Sequence, residues 1–147
     1  MKTLYRVLAL SLLAASPLAH AAADRDPSPP SPKFVYGLHL FFDEKEYVDV
    51  LTLRSIDGKV AGHMSVPNDF EGDLENVVYH APQPHLGIRF PTIEFDLRVP
   101  KNKSRPQDMT FHYAGEFFNG DLRQLSGFVS MGGGKKFVAS FVAFLRK

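Results

Sequence analysis

Residues 56–80 read IDGKVAGHMSVPNDFEGDLENVVYH. Asp57-Gly58 is a strong hairpin signal, because a two-residue turn of the favoured hand needs φ above zero at both positions. The run 59–66 that follows is a strand, and Gly62 inside it marks a bulge or a sharp bend. Pro67-Asn68-Asp69 breaks that strand, residues 70–73 continue the loop, and 74–79, LENVVY, form the next strand. Short β runs joined by Gly, Asn, Asp and Pro turns describe an all-β protein, and the same grammar holds on both sides of this stretch.

Working back, 47–55 (YVDVLTLRS) returns from 34–42 (FVYGLHLFF) through a charged turn at 43–46. The run 34–42 is largely apolar on both faces. Working forward, Pro82 and Pro84 keep 81–84 out of any ladder, and 86–90 is a short run stopped by Pro91. Residues 92–99, TIEFDLRV, alternate cleanly: Ile93, Phe95, Leu97 and Val99 face a core, while Glu94, Asp96 and Arg98 face water. A polar loop, 100–108, carries Lys101, Lys103 and Arg105; such a loop can grip an anion, but a soluble hairpin tip explains it as well. Strands follow at 109–118 and 122–131, with Asn119-Gly120 a second hairpin signal between them. Gly132-Gly133-Gly134 turns the chain into 137–145, FVASFVAFL. There Phe137, Phe141 and Leu145 share one face with Ala139 and Ala143; Val138, Val142 and Phe144 share the other. A strand apolar on both sides covers a core with one face and something else with the other.

About eight antiparallel strands with short connections favour an up-and-down meander closed into a barrel, since closure removes the edge strands; a β-sandwich is the alternative. Within 147 residues there is room for one domain, at 34–147. Residues 1–23 have the form of a signal peptide: Lys2 and Arg6, an apolar run at 7–15 too short to span a bilayer, and small-x-small cleavage candidates near Ala21 to Ala23. Residues 24–33, DRDPSPPSPK, read as a Pro-rich linker of polyproline character. The expected location is periplasmic or secreted, with no transmembrane segment in the mature protein. Cysteine is absent, which removes disulfides, thiol chemistry, cysteine zinc sites and a lipoprotein anchor together. A formal net charge of +1 gives no electrostatic case for nucleic acid. Thirteen Phe and no Trp imply a core or cavity rich in phenylalanine rings.

The chain resembles bacterial periplasmic lipocalin-like domains. The residues that carry the likeness are Gly37-Leu38-His39-Leu40, Asp57-Gly58, the segment 62–67, the strand 93–99, Tyr113-Ala114-Gly115 and Ser126-Gly127-Phe128; Tyr36 stands near the place of the early Trp of that pattern. The resemblance implies a calycin-like barrel and carries no catalytic residue with it.

Enzymatic chemistry finds no motif. His39, His63, His80, His85 and His112 show no His-x-His or HExxH spacing and read as scattered histidines. His112 and Glu116 share a strand face, but four residues along a strand set them ~13 Å apart, too far for a direct acid–base pair. There is no G-x-S-x-G elbow, and the triple glycine before Lys135-Lys136 lacks the context of a phosphate loop. The alternation of some strands only, and an end at Leu-Arg-Lys, argue against an outer-membrane barrel. The expected role is therefore a non-enzymatic binding protein with no cofactor or metal. It takes a small hydrophobic ligand or an envelope protein partner, with a homodimer as a further form of association. The alternative is a periplasmic inhibitor or immunity protein that blocks an exported toxin or enzyme. The candidate ligand-lining side chains are the aromatics Tyr36, Phe95, Phe111, Tyr113, Phe128 and Phe141, rings that serve equally well as barrel filling.

Overall fold

Alternating side chains and tight turns produce nine antiparallel strands in the computed structural model, which describes residues 33–118 and 120–147. The expected signal peptide, the expected linker up to residue 32, and Asn119 of the second hairpin signal lie outside the described residues. The strands are β1 (Lys33–Phe42), β2 (Lys45–Ile56), β3 (Lys59–Val66), β4 (Phe70–Asp73), β5 (Glu75–His80), β6 (Thr92–Val99), β7 (Met109–Phe117), β8 (Gln124–Met131) and β9 (Lys136–Leu145). Their order in the single sheet is β4-β3-β2-β1-β9-β8-β7-β6-β5. Every neighbour is consecutive in sequence except β1 and β9, which pair from Tyr36–Leu145 to Phe41–Ser140. That ladder curls the meander into a nearly closed, calycin-like barrel, and among the described residues no second sheet packs against a first as a sandwich requires.

The remaining seam lies between β4 and β5, and it is bridged covalently. Leu74 alone separates the two, and its amide donates to the Gly62 carbonyl at 2.9 Å, which extends the β3 ladder past β4. β5 then pairs with β6, from Glu75–Asp96 to His80–Thr92. β4 and β5 are thus one bent stave that holds β3 with its first half and β6 with its second, so nine strands make eight staves. The bend is a β-bulge: the register slips by one residue between Glu75 and Val78, and Asn76 sits at φ 51°. Its side-chain amide donates to Asp96 at 2.8 Å, which fixes the bulge against β6.

Three segment assignments change, and Gly62 pairs with Leu53 in regular register without the expected bulge. Residues 70–73 are a strand, not a loop: a four-residue segment with one glycine and two acids has little intrinsic strand signal, and the free edge of β3 organises it, with Ser65 donating to Glu71 and His63 pairing with Asp73. Residues 86–90 are not a strand: Pro84–Leu86 form a 3-10 turn that ends at Gly87 (φ 80°), and only a Gln83–Ile88 bridge remains. The charged turn is shorter than 43–46. Asp43 and Glu44 supply the two positive φ angles of a two-residue hairpin, and Lys45 and Glu46 already belong to β2. The Asp57-Gly58 turn forms as expected, with φ of 49° and 76°.

The barrel interior is packed with rings. Phe95 stacks on Tyr113 with centroids 4.8 Å apart, and Phe141 tilts against Tyr113 at 5.7 Å. Towards the opposite end Tyr36, fully buried, lies against Phe117 and donates its hydroxyl to the Leu122 carbonyl at 2.8 Å. Burial, with Tyr79 and Asp121 nearby, pushes the Tyr36 phenol up to about 12. This bond fastens the β7–β8 connection to β1. Tyr36→Phe removes the donor and leaves the carbonyl unpaired, so urea unfolding should show a loss of about 1 kcal/mol with an unchanged slope.

In β9, Val138 is an extra residue: Val129 pairs with Ala139 but Ser130 pairs with Phe137. Period-two alternation therefore fails at its start. Phe137 turns outward and is 66% exposed, while Ala139, Phe141 and Ala143 keep the inner face.

Candidate binding cavity at one end of the barrel

Above the stacked rings the interior opens into a cavity of about 160 Å³. Every strand except β5 contributes to its wall, so it lies on the barrel axis. The lining is mostly apolar: Leu40, Val66, Val99, Val129 and Val138, with aromatic surface from Tyr47, Phe70, Phe111 and Tyr113.

One wall residue has the wrong chemistry for such a place. Asp49 is 5% exposed, opposite Leu38 in the β1–β2 ladder, on the inner face that Leu51 and Leu53 continue below it. Burial raises its carboxyl from 3.8 to about 6, and among the described residues no donor or cation offsets that desolvation. The same carboxylate, after burial, helps push the Tyr113 phenol well above the ordinary tyrosine range.

The mouth is organised by the polar loop between β6 and β7. Arg105 reaches across to Asp69, with Nη1–Oδ2 at 3.2 Å and Nη2–Oδ1 at 3.3 Å, while its Nε donates to the Pro100 carbonyl at 2.9 Å. Asn102 donates to the same Asp69 at 3.1 Å and accepts the Ser104 and Arg105 amides at 3.0 and 2.8 Å. At the base of the loop the Lys101 amide and then Arg98 hold the Asp108 carboxyl below the usual carboxylate range. The loop is therefore a structured rim, and Arg105, the only cation that lines the cavity among the described residues, is already engaged.

No protein-family model, curated protein or solved structure matches this chain.

The six candidate aromatics separate by position. Phe111 and Tyr113 line the cavity. Phe95 and Phe141 pack against Tyr113 as barrel filling, and Tyr36 fills the far end. Phe128 is not a core-face residue: Leu125 and Val129 take the inner face of β8, so alternation turns Phe128 outward, where it is 49% exposed. The residue that sequence reading passed over is Asp49. Its signal was the alternation Tyr47, Asp49, Leu51, Leu53, which sets a carboxylate in line with an apolar face.

The outer surface has two features. His39 pairs with Glu46, His63 with Asp73 at 3.0 Å and His112 with Asp96 at 2.9 Å, all across neighbouring strands. His112 therefore finds its carboxylate on β6, not at Glu116. Among the described residues no cluster of three or more His, Asp and Glu side chains is arranged to hold a metal ion. The second feature is apolar: Phe41, Phe128 and Phe144 are each about half exposed on the adjoining β1, β8 and β9, with His39 edge-on to Phe144. No helix among the described residues is long and apolar enough to cross a membrane.

Proposed function

We propose that this chain is an exported, non-enzymatic binding protein of the bacterial envelope that takes a small ligand into the end of its barrel. The observation that carries this reading is the axial cavity with a nearly buried, uncompensated carboxylate on its wall. An apolar cavity with few convergent polar groups is the ordinary form of a small-molecule site. At about 160 Å³ it is comparable to the ~150 Å³ engineered cavity that binds benzene. The signal-peptide pattern of residues 1–23 supports a periplasmic or secreted location, and the likeness to lipocalin-like domains supports a ligand in the barrel interior.

A second reading rests on the outer face. Phe41 and Phe128, on either side of Ser140, and Phe144 further along β9 stand half exposed on the outer face of three adjoining strands, apolar surface that suits a protein partner, a second copy, or the target of an inhibitor or immunity protein.

Native mass spectrometry of the mature protein purified from its own periplasm separates the two. The ligand reading expects a small adduct of constant mass that is retained by Tyr36→Phe at the far end and lost in Val66→Phe, which fills the rim of the cavity. A dimer or a co-purifying protein without any adduct would overturn it in favour of the outer face.

A further inference from the structure

We propose that the cavity selects a small organic cation, an amine or amidine on an apolar body about the size of one ring, with Asp49 as its counter-ion. This rests on the ligand reading above and narrows it to a chemical class.

Charge on the walls decides the sign. The cavity holds one interior ionisable acid, Asp49, and a rim pair, Asp69 with Arg105, whose charges neutralise each other. Among the described residues the only other ionisable side chains on the lining are the Tyr47 and Tyr113 phenols. The neighbouring strands offer Asp49 no relief: β1 presents Leu38 and Leu40, β3 presents Val66, and β7 presents Phe111 and Tyr113. A carboxylate placed so is destabilising in the empty protein, because desolvation is not repaid. A bound ammonium repays it, whereas an anion adds repulsion and a neutral apolar molecule leaves the carboxylate as it was.

The remaining surface fits the rest of such a ligand. Aliphatic side chains take an apolar body, and Tyr47, Phe70, Phe111 and Tyr113 add aromatic surface to the wall, which attracts a cation. A volume of about 160 Å³ suits one ring with a short aminoalkyl arm.

The test is calorimetric titration of the full mature protein with benzylamine, benzyl alcohol and benzoate at pH 7.5, on wild type and on Asp49→Asn. The expected result is benzylamine bound at least ~10-fold more tightly than benzyl alcohol, with benzoate weakest. In Asp49→Asn the preference collapses while benzyl alcohol is unaffected. In the wild type the preference also fades at pH 5, where Asp49 takes up a proton. Glu94→Gln, which removes an exposed carboxylate from the outer face of β6 away from the cavity, keeps it. If benzyl alcohol binds as well as benzylamine, or if the preference survives in Asp49→Asn, the cationic class is overturned and the ligand cavity stands. If none of the three binds to protein whose near-ultraviolet circular dichroism shows it folded, both the class and the ligand reading fail.

Discussion

Asp49→Asn is expected to stabilise the empty protein by about 2 kcal/mol at pH 7 and to leave it nearly unchanged at pH 4. The sign follows from linkage. The folded-state carboxyl is raised from 3.8 to about 6, so the native state holds this proton more tightly than the unfolded chain does. Below about pH 4 both states carry the proton and the burial of Asp49 is free of electrostatic penalty. As pH rises from about 4 to about 6, the unfolded chain ionises first, and stability is lost until the folded carboxyl ionises as well. A tenfold change in proton affinity is worth about 1.4 kcal/mol, and access of water through the mouth trims the total to about 2. Asparagine keeps the shape and removes the ionisation. Paired urea titrations of wild type and variant at pH 4 and pH 7 check this; equal differences at the two pH values would show that Asp49 is not desolvated. A native residue that lowers the stability of the empty fold is the kind of trade a binding site makes.

Gly127→Ala should cost at least about 3 kcal/mol, and lower the melting temperature by roughly 10 °C or more, the largest loss expected from adding a methyl group at any glycine among the described residues. A Cβ at this position would stand 2.0 Å from the Ala114 carbonyl oxygen and 2.6 Å from the Gly115 Cα. These are backbone atoms of β7, held in the ladder that pairs Gly115 with Gly127, so neither can retreat without breaking strand pairing. Gly120→Ala is the control: a Cβ there meets nothing within 4 Å, and stability should stay within about 0.5 kcal/mol of wild type. Thermal unfolding of the two variants side by side decides the matter. Similar midpoints would mean that β7 and β8 can separate at this point without penalty.

The meander was legible because its signals are local. The alternation at 92–99 and the Asp57-Gly58 dipeptide depend only on period and turn chemistry, and both appear where expected. What was not legible depends on partners distant in sequence. Residues 70–73 become β4 because β3 offers an open edge, which nothing within those four residues announces. Phe137 faces outward because Val138 is a bulge opposite β8, and a bulge shifts parity without any change in composition. The site divides in the same way. Phe111 and Tyr113 follow from alternation, and the inward direction of Asp49 was equally available from its neighbours Tyr47 and Leu51. That Asp49 has no partner among the described residues could not be read, because donors come from other strands and from the rim, where Arg105 is taken by Asp69.

The pairing of β1 with β9 has a kinetic consequence. The hairpins β1–β2, β2–β3, β6–β7, β7–β8 and β8–β9 each join neighbours in the chain and close short loops. The β1–β9 ladder instead joins the two ends of the domain, so its loop-closure entropy falls due only after everything between them has assembled. Until β9 arrives, β1 presents a bare edge with apolar residues on both faces, the arrangement most open to pairing with another chain. Folding yield is therefore governed by how quickly the last strand reaches the first, and substitutions in that ladder act on aggregation during folding before they act on the stability of the finished barrel.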